Sequence, residues 1–427
     1  MILIGSKPSR ESEYVIFKGE GSLNVRSGPG LDYNIIEELT EYRKLMVLSH
    51  EKDWYKIELA IDKSGWVYAP LVSPFSLSWN CYRGNSERTA SLDESVTIEG
   101  KKKWELDIKS NINFNSSPVS CNGKVYIGSE KGKLFCIDGK KCSIDWTFQA
   151  EAPIESTPAI NGDYLYFESE DGIVYCIDLS SGHKVWKFSR DGTTSGNSPL
   201  IMENNLIYVI GNNNRTIYAL TLDKGQEKWR FSLENGFLSP PCIADEGLYF
   251  GSSSGDVYCL SKEKGSVKWK SNCKYCTGLT FSSEDFLYVL VNNTEAINHD
   301  DFYISLYALD KITGVKKWSY DFSSQVFTPV LMDNIVYIAS YDKNIYAIDA
   351  KNGKQKWSIK GETYPVIMTG SGSVLYIVLY DCTVYALDSK TKKRRWTLNF
   401  DSMASSPAIT GNNLYLATED GIIYSIE

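Results

Sequence analysis

The sequence offers one cysteine pair at a spacing suited to chemistry, Cys273-x-x-Cys276. Two thiolates so placed hold half of a zinc site or exchange a disulfide. A zinc site needs a second ligand pair, and no other Cys-x-x-Cys occurs among the ten cysteines. We therefore expect a coincidence within a connecting segment. Ten cysteines in 427 residues are also too sparse for a disulfide scaffold, so we expect free thiols.

Histidine, the commonest general base, occurs only at His50, His183 and His299. His183 falls in a turn where related segments carry Lys or Asn, which is typical of a solvated turn residue. No serine or cysteine has the surroundings of a nucleophile, such as a nucleophile elbow. The sequence predicts no catalytic residue and favours a protein that is not an enzyme.

Residues 292–303, NNTEAINHDDFY, concentrate side chains that bind cations or partners: Glu295, His299, Asp300 and Asp301. A binding loop is one interpretation of this segment. A neutral surface insertion is the favoured one, because surface loops tolerate insertions readily. We expect no bound metal and no cofactor.

The candidate residues lie within a repeated element of the sequence, and each copy of the repeat contains a tryptophan. Eight tryptophans recur about 40 residues apart, at Trp104, Trp146, Trp186, Trp229, Trp269, Trp318, Trp357 and Trp396. Each interval holds four short segments rich in β-branched and aromatic residues, separated by turn residues. Four antiparallel strands in about 40 residues predict one blade of a β-propeller.

The copies predict how the ring closes. The second strand occurs eight times, from 125–128 to 414–417, but no tryptophan strand follows the last copy. A spare one, KKWELDI at 102–108, precedes the first. The predicted fold is all-β: an eight-bladed propeller of four-stranded antiparallel blades over 102–427, closed by the strand around 102–108 completing the last blade. An open solenoid is the alternative.

Cys136, Cys176 and Cys259 share one repeat position, where other blades carry Ala or Ser. That position accommodates only a small residue, so these cysteines are predicted to pack in the interior rather than to react.

The runs YALDKITGVKKWSY and YCIDLSSGHKVWKF resemble the repeat of PQQ-like β-propellers, and WNCYRGNSERT at 79–89 resembles the segment that often precedes such a propeller. This family includes quinone dehydrogenases and pure scaffolds, so the resemblance implies fold rather than function. The dehydrogenases use an Asp base, a calcium ion held by Glu, Asn and Asp, and commonly an adjacent Cys-Cys disulfide. No Cys-Cys pair occurs here. A PQQ- or metal-dependent oxidoreductase remains the alternative function.

Residues 14–73 lack the repeat and contain SLNVRSGPGLDYNIIEEL, DWYKIEL and SGWVYAPLVS. They resemble the bacterial SH3 (SH3b) family, which implies a small barrel. Trp54 and Trp66 are expected in its core. The other interpretation is a peptide or glycan groove, whose candidate residues are Arg26, Tyr33, Trp54, Tyr55 and Tyr68. Residues 1–13 are assigned as a tail and 74–101 as linker and propeller lead-in.

Charged turns supply a second binding hypothesis. Turns between second and third strands are acidic, with partner-binding candidates Glu170, Asp171, Asp342, Asp381 and Asp420. Turns between third and fourth strands carry lysines, and antiparallel pairing places them on the opposite face. We expect one acidic face and one basic rim. Ordinary solubility is the competing explanation.

Composition limits the remaining classes. A net charge of −8 and 42% hydrophobic residues indicate a globular protein that does not bind nucleic acid generally. No apolar stretch is long enough for a membrane span. The absence of a leader and the free thiols favour a cytoplasmic location, with export the alternative if a leader was removed. The predicted function is a protein-interaction scaffold; a sensor of cell-wall peptides acting through the SH3-like domain is a further alternative.

Overall fold

The computed structural model describes residues 14–17, 22–39, 43–51, 54–60, 63–68, 73–75, 81–85, 89–92, 98–113, 116–190, 200–203, 205–211, 215–244, 247–273, 276–283, 285–292, 304–327 and 329–427. The chain forms two compact units, Met1–Leu77 and Ser78–Glu427. The described residues form strands and turns, and within them no helix is long and apolar enough to cross a membrane. The all-β prediction is confirmed.

The first unit contains one sheet of seven strands. They are β1 (Tyr14–Phe17), β2 (Leu23–Arg26), β3 (Ile35–Leu39), β4 (Arg43–Glu51), β5 (Trp54–Ala60), β6 (Lys63–Tyr68) and β7 (Ser73–Phe75). Their order in the sheet is β3-β2-β6-β5-β4-β1-β7. Leu23 and Val25 alternate with partly exposed residues and are fully buried with Ile57 and Val67. One apolar face therefore forms the core of this unit.

The second unit begins with β8 (Ser91–Leu92) and β9 (Lys102–Asp107). Blades 1 and 2 contain β10 (Val119–Cys121), β11 (Lys124–Gly128), β12 (Lys133–Asp138), β13 (Ser143–Gln149), β14 (Ala159–Asn161), β15 (Tyr164–Glu168), β16 (Ile173–Asp178) and β17 (Lys184–Ser189). Blades 3 and 4 contain β18 (Ile201–Glu203), β19 (Leu206–Gly211), β20 (Thr216–Thr221), β21 (Glu227–Ser232), β22 (Cys242–Ala244), β23 (Gly247–Gly251), β24 (Asp256–Leu260) and β25 (Val267–Asn272).

The remaining four blades follow the same order. Blades 5 and 6 contain β26 (Cys276–Ser282), β27 (Phe286–Asn292), β28 (Ile304–Asp310), β29 (Lys316–Phe322), β30 (Val330–Met332), β31 (Ile335–Ala339), β32 (Asn344–Asp349) and β33 (Gln355–Lys360). Blades 7 and 8 contain β34 (Pro365–Ser371), β35 (Val374–Leu379), β36 (Thr383–Asp388), β37 (Arg394–Asn399), β38 (Ala408–Thr410), β39 (Asn413–Ala417) and β40 (Ile422–Ile426). The middle two strands of each blade are largely buried because neighbouring blades cover both of their faces.

The tryptophan of each fourth strand joins its blade to the next one. Trp229 Nε1 donates to the Lys262 carbonyl of blade 4 at 2.9 Å, and the Tyr208 hydroxyl donates to the same oxygen at 3.2 Å. The indole lies on Gly265, whose φ of +66° favours glycine; a Cβ there would lie 2.5 Å from the ring. The same contact recurs at Gly182, Gly225, Gly314 and Gly353.

The small-residue position predicted for three cysteines faces the tryptophan directly. Cys136 is the register partner of Trp146, Cys176 of Trp186 and Cys259 of Trp269. All three cysteines are buried. The packing role is confirmed, because a larger side chain would compete with the indole for this space.

The predicted closing strand is present and ends one residue earlier than expected. β9 pairs antiparallel with β40, with Trp104 opposite Ser425, and completes the four-stranded eighth blade. Trp104 Nε1 donates to the Gly139 carbonyl of blade 1 at 2.8 Å. The eighth and first blades are thus joined by the same kind of bond that Trp186 and Trp229 make to their next blades.

Candidate functional site

The first strands of the blades line the axial channel of the propeller. The first strand of one blade contacts the first strand of the next blade around the ring. The lead-in segment crosses this channel. Cys81 packs in a cluster with Ala159 and Leu200 of blades 2 and 3, and the Arg83 guanidinium lies 5.8 Å from the centre of the Phe281 ring of blade 5. The described residues of this segment, 81–85 and 89–92, therefore lie at the axis.

Backbone pairing fixes the end of this segment against blades 6 and 7. β8 pairs in parallel with β34, and the Gly370 amide donates to the Ala90 carbonyl at 2.8 Å. The Leu331 amide donates to the Thr89 carbonyl at 2.9 Å. Asn85 holds the preceding turn by accepting a hydrogen bond from the Thr89 amide at 3.0 Å. The Arg-Gly-Asn motif thus directs the chain into the channel.

A planar quinone needs an enclosed cavity of its own size, and a propeller offers that space at its axis. Here residues 81–85 and 89–92 lie in that region, in contact with first strands of several blades. Among the described residues, no group of three or more His, Cys, Asp or Glu side chains is placed to hold a metal ion.

We call the acidic-turn face the surface formed by the turns between second and third strands and by the segments leading into the first strands. One backbone bond joins the two parts in six blades: Glu130 to Asn111, Glu170 to Pro153, Ser253 to Phe237, Tyr341 to Gln325, Tyr380 to Tyr364 and Glu419 to Met403, each amide donating to the carbonyl. Each turn is therefore held in a fixed position.

The predicted acidic candidates on this face also shape their turns. Oδ1 of Asp171, Asp342 and Asp381 accepts the amide two residues onward, at 3.1, 2.9 and 3.1 Å. Burial opposes ionisation of Asp342, but hydrogen bonds from Tyr346 and Asn344 outweigh it and lower its pKa. Asp420 accepts a hydrogen bond from Ser402 Oγ at 3.0 Å.

The predicted insertion loop contributes nothing further here, because Glu295, His299, Asp300 and Asp301 lie outside the described residues. Glu170 is partly exposed and follows the buried Ser169. The structure thus brings Glu170, Asp171, Asp342, Asp381 and Asp420 to one face, distributed over four blades.

The opposite face is less basic than the turns alone predict. The last residue of the third strand is an Asp in most blades. It pairs with a cation of an adjacent strand: Lys124–Asp138 at 2.7 Å, Lys317–Asp310 at 3.2 Å, Lys356–Asp349 at 3.2 Å and Arg395–Asp388 at 2.6 Å. Hydrogen bonds from the Thr391 amide and from Arg395 lower the pKa of Asp388 to about 2. The expected basic rim is therefore partly neutralised.

Sequence reasoning missed an aromatic row on the acidic-turn face. Tyr341 and Tyr380 stand where other turns carry Glu130, Glu170, Ser253 or Glu419. They are 44% and 66% exposed. The signal was available as a departure from the repeat, but tyrosine also occupies many buried positions of the second and third strands.

Of the SH3-like groove candidates, Trp54 and Tyr55 pack in or against the core of the first unit, whereas the others lie at its surface. Trp54 is buried and its ring centre lies 5.4 Å from that of the exposed Tyr68. Arg26 donates to the carbonyls of Leu31 and Tyr33, at 2.9 and 2.7 Å, so it holds a loop. Tyr55 packs against the core of this unit. Trp54 is thus a core residue, as expected.

The remaining chemical candidates are unreactive or undescribed. Cys273 is buried in an apolar cluster, and burial raises the pKa of its thiol. Burial also raises the pKa of Cys136 and of Cys176 to about 12. The side chains of Cys276 and His50 lie outside the described part of the chain. His183 is an exposed turn residue, as predicted.

Two units of this architecture define a class: a bacterial SH3 domain followed by a β-propeller. The bacterial SH3 domain model matches residues 21–73. The model described as outer membrane protein assembly factor BamB matches residues 88–196, 193–271, 278–366 and 365–427. The chain belongs to this BamB family.

Solved structures share the propeller fold at low identity. BamB from Moraxella catarrhalis is 17% identical, with a TM-score of 0.61 over 77% of this chain and 99% of its own. Quinohemoprotein alcohol dehydrogenase from Comamonas testosteroni is 12% identical, with a TM-score of 0.64 over 82% and 80%. These similarities show the fold alone.

A protein from Bacillus subtilis is similar to a shorter stretch of this chain. The putative N-acetylmuramoyl-L-alanine amidase YrvJ of Bacillus subtilis is 33% identical over 93 residues, which is 22% of this chain. The match spans only 18% of the length of that relative.

Proposed function

We propose that this protein is a non-enzymatic scaffold that binds a protein partner through its acidic-turn face, with the SH3-like domain as a second binding module. The segment at the axis carries this proposal. Because residues 81–85 and 89–92 lie where a propeller holds a small ligand, the turn faces are favoured as the surfaces for recognition.

Charge supports the choice of face and the kind of partner. The carboxylates of Asp171, Asp381 and Asp420 accept hydrogen bonds from local amides and hydroxyls, and none of these donors is a cation. On the opposite face, aspartates pair with the lysines and arginine. A basic partner surface would be steered to the acidic-turn face. The name of the BamB relatives, an assembly factor, agrees with a binding role.

A second candidate function is binding of cell-wall peptides by the SH3-like domain. Leu31, Tyr33 and Ile35 are 74%, 48% and 52% exposed in and after the loop that Arg26 holds. Exposed apolar side chains on a fixed loop suit a peptide ligand. The muramoyl-alanine amidase that matches part of this chain favours this ligand class. Muramoyl-peptide binding by the full chain that Tyr33→Ser abolishes would support it.

The competing oxidoreductase is tested by titrating the full chain with PQQ and calcium while following absorbance and thermal unfolding. A scaffold with this segment at its axis is expected to show no stoichiometric uptake and no rise in Tm. Uptake of one quinone with a rise in Tm would contradict the proposal, because a ligand that binds the native state must stabilise it.

A further inference from the structure

Four aromatic rings form a continuous row on the acidic-turn face of blades 6 and 7. Phe327 and Tyr341 stack with ring centres 4.7 Å apart and an interplanar angle of 23°. Tyr341 lies 5.5 Å from Tyr364, which lies 6.5 Å from Tyr380 in an edge arrangement. Two of the rings come from turns and two from the segments entering the first strands.

Backbone hydrogen bonds, as well as packing between the rings, hold the row in place. The Tyr341 amide donates to the Gln325 carbonyl, and the Tyr380 amide donates to the Tyr364 carbonyl, both at 2.9 Å. Phe327 also packs against the buried cluster of blades 6 and 7. A rigid aromatic surface loses little conformational entropy on binding, so it suits recognition.

The fold itself does not require these tyrosines. The equivalent turn of blade 4 places Ser253 at the position of Tyr341, with the same backbone bond. The turn and its backbone bond therefore form with serine as well as with tyrosine. Side chains that depart from the repeat and are exposed together are the features to assign to function.

The surroundings of the row select a cationic ligand. Asp342 and Asp381 follow the two turn tyrosines, and Glu362 is exposed beside Tyr364 in the chain. The chain's own Lys343 ammonium already lies 5.5 Å from the centre of the Tyr364 ring. Ring faces and carboxylates both attract guanidinium and ammonium groups.

We propose that the row Phe327–Tyr341–Tyr364–Tyr380 is the docking site for an arginine-bearing segment of a protein partner. Guanidinium planes stack on the exposed tyrosines while Asp342 and Asp381 supply the opposite charge. This inference rests on the proposed scaffold function and names the surface and the partner chemistry.

The test is binding of a fluorescent peptide of alternating Arg and Gly to the full chain, followed by anisotropy. We expect saturable binding that the double variant Tyr341→Ser, Tyr380→Ser weakens by about tenfold or more, as for hot-spot aromatics. Net charge is unchanged by this variant, so general electrostatic attraction is held constant. Tyr164→Ser is the matched control, since Tyr164 is 39% exposed at a strand end on the opposite face.

Lys343→Gln provides an opposite expectation. Removing the internal ammonium frees the Tyr364 ring and is expected to raise affinity by about threefold. Equal binding by the wild type and the double variant, or no saturable binding, would overturn the proposal. Preference for a neutral N-acetylglucosamine oligomer over the basic peptide would also overturn it, in favour of a glycan site. None of these results changes the expected outcome of the quinone titration. Failure of this docking site can therefore be told apart from failure of the proposed scaffold function.

Discussion

At the scale of single residues, the repeat is maintained by contacts between unlike partners in adjacent blades. Most indoles bond a carbonyl and lie on a glycine of the next blade, as Trp229 does with Lys262 and Gly265. Each last turn needs an acceptor, supplied by residues such as Asp178 and Asp388. Residues whose types suggest chemistry, such as Cys136 and Asp388, therefore have structural roles in the repeat.

Replacing Gly265 with Ala should destabilise the protein in two ways. The backbone φ of +66° is unfavourable for alanine, and the new methyl would lie 2.5 Å from the Trp229 ring. We expect a loss of about 2–4 kcal/mol in the free energy of unfolding measured by urea denaturation. Gly123→Ala is the control, with φ of +73° and no atom within 4 Å, and should cost about 1 kcal/mol. Equal losses would refute the glycine–tryptophan contact.

Asp388→Asn should change how stability depends on pH. The folded-state pKa of Asp388 is lowered to about 2, so the carboxylate stabilises the fold above its unfolded pKa of about 4. That contribution is lost as the pH falls from about 4 towards 2. The Tm difference between wild type and variant should be constant above pH 5 and should shrink at lower pH. A difference independent of pH down to 2 would contradict the assigned role.

At the scale of elements, the eight blades follow from pattern, and the strand that completes the eighth follows from counting. The sequence lacks a tryptophan strand after 414–417 and has a spare one at 102–108, which predicted the pairing of β9 with β40. The path of 81–92 could not be predicted in this way. Its pairing with β34 joins positions far apart in sequence, and a two-residue strand has no periodic pattern to read.

The joint between the last and first blades should be as strong as an internal joint. Trp104→Ala removes an indole that bonds Gly139, and Trp186→Ala removes one that bonds Leu222. Each should lower the free energy of unfolding by about 2–4 kcal/mol. A near-neutral Trp104→Ala beside a costly Trp186→Ala, both measured by urea denaturation, would show that the ring opens at this joint.

At the scale of the whole molecule, the axis and the two faces of the propeller differ in what occupies them and in charge. The described residues of the lead-in lie at the axis, ion pairs neutralise part of one face, and the other face carries exposed carboxylates and tyrosines. The sequence predicted the acidic face from its turns but overestimated the basic one, because it overlooked the strand-end aspartates. It missed the tyrosine row because only the register separates exposed Tyr380 from buried Tyr376.

The central claim is that the acidic-turn face binds a protein partner, and face-selective crosslinking tests it most directly. A photoreactive amino acid is placed at Asp381 or Glu419 on this face, or at exposed Lys390 on the other, in cells of the source organism. We expect one discrete crosslinked protein from the first two positions and none from Lys390. Equal crosslinking from both faces, or no crosslinked product from the acidic-turn face, would contradict the account.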